Sequence, residues 1–593
     1  MPNPAEKYQE DCGALNINHI RRLAQYLRPY KKQIAITVVL MFVATVTGLI
    51  GPYFLQLAID VYIPQKNVAG VVWISILFMV MTCLNYICNR YKISFANRTG
   101  QQVLFDIRRD LFQHVQSLSF GFFDTHSTGK IIVRIVNDVN TLNNLFTNGI
   151  INVITDFSML VVAAILMFVI HPRLALLTFV TIPFFMVFVF TIRNLNKKRW
   201  RLVRIKISNL NAYLHECISG MRVIQAYVRQ QENRKIFHDV LDDVFNSWIR
   251  ATYLNGTVGP VVNMVSIMGT ILIYWYGAYL LNKGDVTVGV LIAFTGYLSR
   301  FWQPMGTLSN FYNQLVVAAT SSERIFELLD EKPWITDSPQ SRELDVVRGE
   351  ISFEHVYFEY EKDKMILKDV NFKVSPGETI AIVGPTGSGK TTIINLIARF
   401  YDVTDGEVKI DGLNIKQIKQ ASLRKKVGVM LQEPFIFSGT IAENIKYAKE
   451  DASDEEVIAV SKAVGAHEFI SKMKDGYESQ VNERGAGLSI GQKQLIAFAR
   501  VLLADPEILI LDEATASVDT HTEVLLQKAI DKILEGRTSF VIAHRLSTIR
   551  NADKIMVVQQ GRIVEMGTHD ELLAKKGVYY NLYNVQYKFL KAV

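Results

Sequence analysis

The sequence predicts a multidomain chain in two parts. An all-α domain of six transmembrane helices with long cytoplasmic helical extensions comes first, and an α/β domain built around a phosphate-binding loop follows. Three observations carry this. The long apolar runs of the 593-residue chain are confined to roughly its first 320 residues. The strand-like Thr379-Ile380-Ala381-Ile382-Val383 leads into Gly384-Pro385-Thr386-Gly387-Ser388-Gly389-Lys390-Thr391 and then a helical stretch from Thr392 to Phe400. That strand–loop–helix order is the setting a phosphate loop requires. A second apolar run, Ile508-Leu509-Ile510-Leu511, ends in Asp512-Glu513 and reads as a buried parallel strand delivering two carboxylates.

Crossing a bilayer as helix takes about 20 apolar residues. Six stretches qualify: 34–60, 70–88, 148–170, 174–193, 258–281 and 287–310. One such run alone reads as a buried core helix, but six in one half of a chain read as a membrane domain. Basic residues orient it. Arg21, Arg22, Arg28, Lys31 and Lys32 precede the first span, and Arg193, Lys197, Lys198, Arg199, Arg201, Arg204 and Lys206 follow the fourth. These basic connections belong in the cytoplasm, whereas the short ones around Pro64-Gln65-Lys66, His171-Pro172-Arg173 and Asn282-Lys283-Gly284-Asp285 belong outside. Both termini and the second domain are then cytoplasmic, on a multi-pass protein of the cell membrane. The net charge of +8 is read as membrane orientation, and no nucleic-acid partner is expected.

The expected boundaries are an N-terminal amphipathic segment over 1–30, the membrane domain over 31–320, a linker over 321–345 and the second domain over 346–593. Within the first segment, Ile17, Ile20, Leu23 and Leu27 share one face of a helix suited to the inner membrane surface. The two cytoplasmic connections exceed simple turns, and each reads as a helical hairpin. The first breaks at Phe122-Phe123-Asp124-Thr125-His126-Ser127-Thr128-Gly129, the second near Cys217-Ile218-Ser219-Gly220-Met221. Cys12, Cys83, Cys88 and Cys217 lack metal-ligand spacing and suggest no disulfide framework. The N-terminus lacks the short apolar core of a cleaved signal peptide.

In the loop, glycines let backbone N–H groups face phosphate oxygens, and the following helix adds its positive end. The cradle comprises Gly384, Thr386, Gly387, Ser388, Gly389 and Thr392, with Lys390 reaching the β- and γ-phosphates and Thr391 placing a hydroxyl on Mg²⁺. Asp512 is expected to hold Mg²⁺, and Glu513 to polarise the attacking water. Adjacent strand residues face opposite ways, so the two carboxylates need not share a role.

With these motifs in order, the whole chain resembles the ATP-binding cassette (ABC) transporters, and in particular exporter-type half-transporters. Leu488-Ser489-Ile490-Gly491-Gln492 resembles the family's signature pentapeptide, with Ile490 where the pattern has glycine. The resemblance implies further roles. Tyr360 matches the aromatic that stacks on adenine. Gln432 matches the glutamine that senses Mg²⁺ and touches the membrane domain. Asp519 lies in the loop that crosses to a partner ATPase, and His544 matches the switch histidine that contacts γ-phosphate. Two such ATPases pair head to tail, so that Ser489, Gly491 and Gln492 close the partner's nucleotide in trans. One ATPase and six spans are half of that machine, so a second half-transporter is implied.

Glycine at the third signature position permits positive φ and close backbone approach, which β-branched isoleucine disfavours. Ile490 beside the intact Glu513 and His544 resembles one subunit of a heterodimeric multidrug exporter with one impaired ATP site; a tolerated variation in a homodimer is the alternative. The implied function is ATP-driven export of a small amphipathic substrate, whether drug, lipid or peptide, across the cell membrane by alternating access, with the lipid bilayer and that substrate as further partners. A membrane-bound ATPase acting as sensor or regulator, or a homodimeric lipid flippase, is the competing reading. Tyr297, Arg300, Trp302, Gln303, Asp156, Asn85 and Asn89 are polar positions within the spans that line a cavity or else join helices.

Overall fold

The computed structural model describes residues 17–512, 520–543 and 546–587. Two compact units divide it: Met1–Ser117 with Ser127–Glu331, and Leu118–His126 with Lys332–Val593.

The first unit is all helical. A helix over Ile17–Tyr26 precedes Lys31–Leu57, which widens into a π-helical turn at Ala58–Tyr62. Val68–Ser117 then runs unbroken for 50 residues. At about 1.5 Å per residue it is some 75 Å long, more than twice the hydrocarbon thickness of about 30 Å, so it must project beyond the membrane. Helical segments continue from Thr128 through Ile150–Ile170, followed by Pro172–Phe179, Thr181–Ser219, Gln230–Gly256, Val258–Lys283, Val288–Trp302 and Met305–Asp330. Four of these helical stretches are long and apolar enough to cross a bilayer. The fourth and sixth expected spans hold shorter apolar helices, Pro172–Phe188 and Val288–Trp302. The chain breaks pitch at Val180 just ahead of Pro183, and again at Gln303-Pro304, because proline removes a helical donor. The last helix runs through the first ten residues of the expected 321–345 linker.

Apolar side chains cover the outer surface of these helices: Trp73, Val169 and Trp275 are each more than 70% exposed. In water such a surface is unfavourable, but in lipid it is matched to its solvent. Inside, Met167, Leu174, Phe294, Tyr297 and Trp302 pack in one cluster. Tyr297 and Trp302 are therefore core residues rather than cavity lining. Asn85 donates to the Ala44 carbonyl at 2.5 Å and to Thr47 Oγ1 at 3.1 Å, and Asn89 donates to Asn85 Oδ1 at 3.0 Å. Asn85 thus joins Lys31–Leu57 to Val68–Ser117, and Asn89 braces it from one turn along the same helix, which replaces the cavity reading for both.

The second unit is α/β. A four-stranded antiparallel sheet has the order Met365–Val374, Ile351–Glu359, Asp405–Ile410, Leu413–Asn414. A six-stranded sheet has the order Arg562–Gly567, Lys554–Gln559, Thr379–Val383, Thr538–Ile542, Ile508–Asp512, Val427–Met430. All its pairs are parallel except the first, at the edge. Strands 379–383, 508–512 and 538–542 are nearly continuous apolar runs because both faces of the sheet are covered.

The tip of the first cytoplasmic connection belongs to this second unit. Helix Val68–Ser117 stops, Phe120–Thr125 forms a separate short helix, and the chain turns helical again at Thr128. The breaks thus flank this helix, starting four residues earlier than the sequence suggested. Phe120 stacks on Phe400 at 5.0 Å, the Ile335 N–H donates to Ser119 Oγ at 3.0 Å, and Tyr401 donates its hydroxyl proton to the Asp124 carboxylate. Gly121 is needed for this docking, because a Cβ there would lie 2.4 Å from the Trp334 ring.

Candidate functional site

Register brings the chemical motifs to one edge of the six-stranded sheet. Ile542 pairs with Ile382 on one side and Asp512 on the other, and Met430 pairs with Leu511. The carboxyl ends of four parallel strands therefore finish level, at Val383, Met430, Asp512 and Ile542. Crevices at such ends are where open α/β sheets bind ligands.

The loop after Val383 has the backbone its composition demands. Gly384, Gly387 and Gly389 have φ of 152°, 78° and 106°. At Gly384 a Cβ would stand 2.1 Å from the Val558 carbonyl oxygen, and at Gly389 it would stand 2.7 Å from Leu367 Cδ2. The Gly561 N–H donates to the Ser388 carbonyl at 3.0 Å, tying the loop to the turn after Lys554–Gln559. Helix Lys390–Ile397 starts directly from Gly389, so its unpaired first-turn amides and positive end face the loop.

Lys390 lies over this cradle, donating from Nζ to the Gly384 carbonyl at 2.8 Å and the Pro385 carbonyl at 3.0 Å. Partial burial holds its ammonium below the ordinary lysine range, and the nearby Asp512 carboxylate opposes the shift. Ser388 Oγ is buried without a hydrogen-bond partner among the described residues. Thr386, Gly387 and Thr391 are exposed. Thr392 is buried, and its Oγ1 accepts the Tyr360 hydroxyl at 3.3 Å. Tyr360 remains half-exposed, with its ring edge-on to Phe358 at 4.8 Å and to Tyr401 at 5.0 Å.

Asp512 is half-buried at its strand end, in a small cleft with Met430, Gln494 and Phe498. Gln432 is exposed, two residues beyond Met430. Among the described residues no three His, Cys, Asp or Glu side chains converge. A Mg²⁺ at Thr391, Asp512 and Gln432 would thus need oxygens from a bound phosphate to complete its shell. The glycine cradle, the inward lysine and the orphaned Ser388 hydroxyl fit a polyphosphate with its cation. Glu513, Asp519 and His544 lie outside the described residues.

Helix Ile490–Ala504 begins with a reciprocal cap. Ser489 Oγ accepts from the Gln492 N–H at 3.2 Å, and the Gln492 side chain accepts from the Ser489 N–H at 2.9 Å. Ile490 is the first helical residue and is not among the positive-φ positions. The expectation that this position needs a glycine-like backbone is thereby corrected. Isoleucine adopts helical dihedrals without strain; what it adds is an apolar side chain, 53% exposed, at a helix N-terminus. Gly491 is buried. The Ser489 proton and the first-turn amides of Ile490 and Gly491 remain available to an anion.

Two groups escaped the sequence reading. Gln494, two residues past the pentapeptide, lines the Asp512 cleft with a buried Oε1 that has no hydrogen-bond partner among the described residues; no motif marks it. Tyr401 joins the Tyr360 ring to Asp124 of the docked tip, and its only trace in the sequence is the helix break that contains Asp124. Burial first, then the hydrogen bond to Asp124, pushes its phenol well above the usual range.

Comparison with known proteins agrees with this geometry. Residues 34–305 match the family model described as ABC transporter transmembrane region, and residues 367–516 match the model described as ABC transporter. "Uncharacterized ABC transporter ATP-binding protein YknV" of Bacillus subtilis (strain 168) is 46% identical over 95% of this chain and 94% of its own length. "Putative multidrug export ATP-binding/permease protein YgaD" of the same organism is 38% identical over 96% of this chain and 99% of its own. A Staphylococcus aureus (strain NCTC 8325 / PS 47) protein bearing the same multidrug-export description is 35% identical over 96% of this chain and its full length.

Proposed function

The chain belongs to the ABC transporter family, and we propose that it serves as one half of a dimeric exporter that hydrolyses ATP to move an amphipathic substrate across the membrane by alternating access. It is a multi-pass membrane protein with a cytoplasmic ATP-binding domain, and its half-transporter architecture implies pairing with a second half. The observation that carries the proposal is the convergence, at one sheet edge, of the Lys390 cradle, Asp512 and the strand leading to Gln432.

In this reading the loop amides and Lys390 bind the β- and γ-phosphates, exchanging the two loop carbonyls for phosphate oxygens. Tyr360 offers its ring to adenine. Thr391, Asp512 and Gln432 hold Mg²⁺, which when bound supplies charge neutralisation across the phosphates. Glu513 takes the proton of the attacking water and His544 orients it. Ser489, with the amides of the signature helix, closes the partner's γ-phosphate. The second cytoplasmic tip supports pairing: Ile218, Val223, Tyr227 and Val228 are each at least 60% exposed, an apolar surface that suits another subunit.

Inside-out vesicles provide the test. ATP-dependent accumulation of an amphipathic dye is expected, and Glu513→Gln should retain ATP binding while abolishing accumulation. ATP turnover without accumulation of any dye would favour a sensor or regulator instead. We further propose a heterodimer, with this chain supplying the working glutamate and the weaker signature. A chain purified alone that forms a stable dimer hydrolysing at both sites at full rate overturns that part.

A further inference from the structure

Within the first unit, a cavity of about 480 Å³ opens between Lys31–Leu57, Val68–Ser117 and Val288–Trp302, within the range of small-molecule sites. Its walls are apolar, with Phe54, Leu55, Ile74 and Phe78 among them, except at Ser75, Ser299 and Arg300. Among the described residues, no carboxylate lines it. Arg300 Nη1 is buried without a hydrogen-bond acceptor among the described residues. Asp60, two residues beyond the cavity-lining Ala58, is already engaged: it accepts from Thr287 Oγ1 at 2.5 Å and the Gly289 N–H at 2.9 Å.

Helix geometry sets the depth. From the outer end of Val288–Trp302, Arg300 lies about 18 Å inward at about 1.5 Å per residue, past the middle of a layer of about 30 Å. Gly51 lies at a similar depth from Tyr62, and a Cβ on it would stand 3.4 Å from Arg300 Nη2 and 3.0 Å from the Phe78 ring. Glycine thus lets the Phe78 ring pack closely there, beside the guanidinium. A cation at that depth with an orphaned donor costs stability unless an anion meets it, and arginine presents a planar fork suited to carboxylate or phosphate.

We propose that this cavity is an anion-recognising subsite: it takes the carboxylate or phosphate head of an amphipathic anion on Arg300, with the apolar body against Phe54, Ile74 and Phe78. This rests on the export reading and narrows its substrate class from amphipathic to anionic amphipathic. The anion comes either from a lipid headgroup or from a free amphipath.

Three probes sharing one apolar body test it: 1-pyrenebutyrate, 1-pyrenebutanol and pyrenebutyltrimethylammonium, titrated without ATP into the assembled dimer in phosphatidylcholine vesicles. Pyrenebutyrate should bind tightest. Arg300→Gln should weaken it about thirtyfold or more, the factor given by about 2 kcal/mol for a lost buried charge partner, and leave pyrenebutanol unchanged. Arg300→Lys, keeping the charge, should retain part of the preference and guards against loss through misfolding. Phosphatidylglycerol added to the vesicles competes with pyrenebutyrate if the natural anion is a lipid headgroup, and leaves it undisturbed if the anion is a free amphipath. Equal binding of all three probes overturns the proposal, as does an anion preference that survives in Arg300→Gln. So does an Arg300→Gln dimer that dissociates with its preference intact, since Arg300 then pairs with the second subunit. Failure of every probe to accumulate with ATP while the binding preference holds would sink export and spare the subsite.

Discussion

Alanine at the phosphate loop should separate backbone strain from collision. At Gly387 nothing among the described residues lies within 4 Å of an added Cβ, so Gly387→Ala meets only the unfavourable φ of 78°. That costs about 1–2 kcal/mol, and the Tm of the ATP-binding domain should fall by about 2–8 °C. Gly384→Ala meets the Val558 carbonyl oxygen at 2.1 Å as well. Restoring ordinary contact, a little over 3 Å, requires the loop to move by about 1 Å, and a misplacement of that size costs about 100-fold where donors must converge on a ligand. Strand Lys554–Gln559 is hydrogen-bonded on both sides, so the loop rather than the strand must yield. The assay is equilibrium binding of a fluorescent ATP analogue to the purified dimer, with thermal unfolding as the control for folding. Gly384→Ala should lose about 100-fold in affinity and Gly387→Ala about tenfold or less. Equal affinities for the two variants, or Gly384→Ala within threefold of the natural protein, would refute the collision argument.

Three further outcomes are expected. Because burial lowers the Lys390 pKa, the ammonium deprotonates before an ordinary lysine would as pH rises, and phosphate restores its charge; calorimetry in buffers of different ionisation enthalpy should show proton uptake on ATP binding that grows as pH rises toward the ordinary lysine range, and Lys390→Met should abolish it. Ile490→Gly removes a half-exposed side chain and adds backbone entropy at a helix start, costing about 1 kcal/mol; if the dimer is asymmetric as proposed, the ATPase rate should stay within about twofold, and a rise of about fivefold or more would indicate that both working sites use Ile490. Tyr401→Phe strips the Asp124 carboxylate of its donor at a cost of about 1.5–3 kcal/mol; substrate stimulation of ATP turnover should weaken while ATP affinity holds, and unchanged stimulation would show that the 120–125 tip does not depend on this bond.

The parts of the site that depend on a single run of chain were legible beforehand. Gly384 to Thr391 is one such run, and only glycine takes its positive φ values without strain, so the letters specified the loop. The apolar stretch ending at Asp512 likewise reads as a strand because both its faces must be covered. Ile490 was misjudged for the complementary reason. Its family pattern suggested a strained backbone, yet the Ser489–Gln492 cap places it at the first turn of an ordinary helix, a fact of local geometry that composition leaves open.

Sequence by itself determined the two-part architecture, the apolar helices, the phosphate loop and the strand-end carboxylate, because each rests on a periodicity or a short contiguous motif. Tertiary structure alone decided which polar residues of the membrane half are occupied and which are not. Asn85 and Asn89 look no different from Arg300 along the chain, yet Asn85 finds an acceptor on the neighbouring helix, Asn89 finds one on Asn85, and among the described residues the Arg300 Nη1 finds none. It also decided that Tyr401 links Tyr360 to Asp124. Contacts between residues far apart in sequence depend on how helices and strands pack, and no periodicity records them.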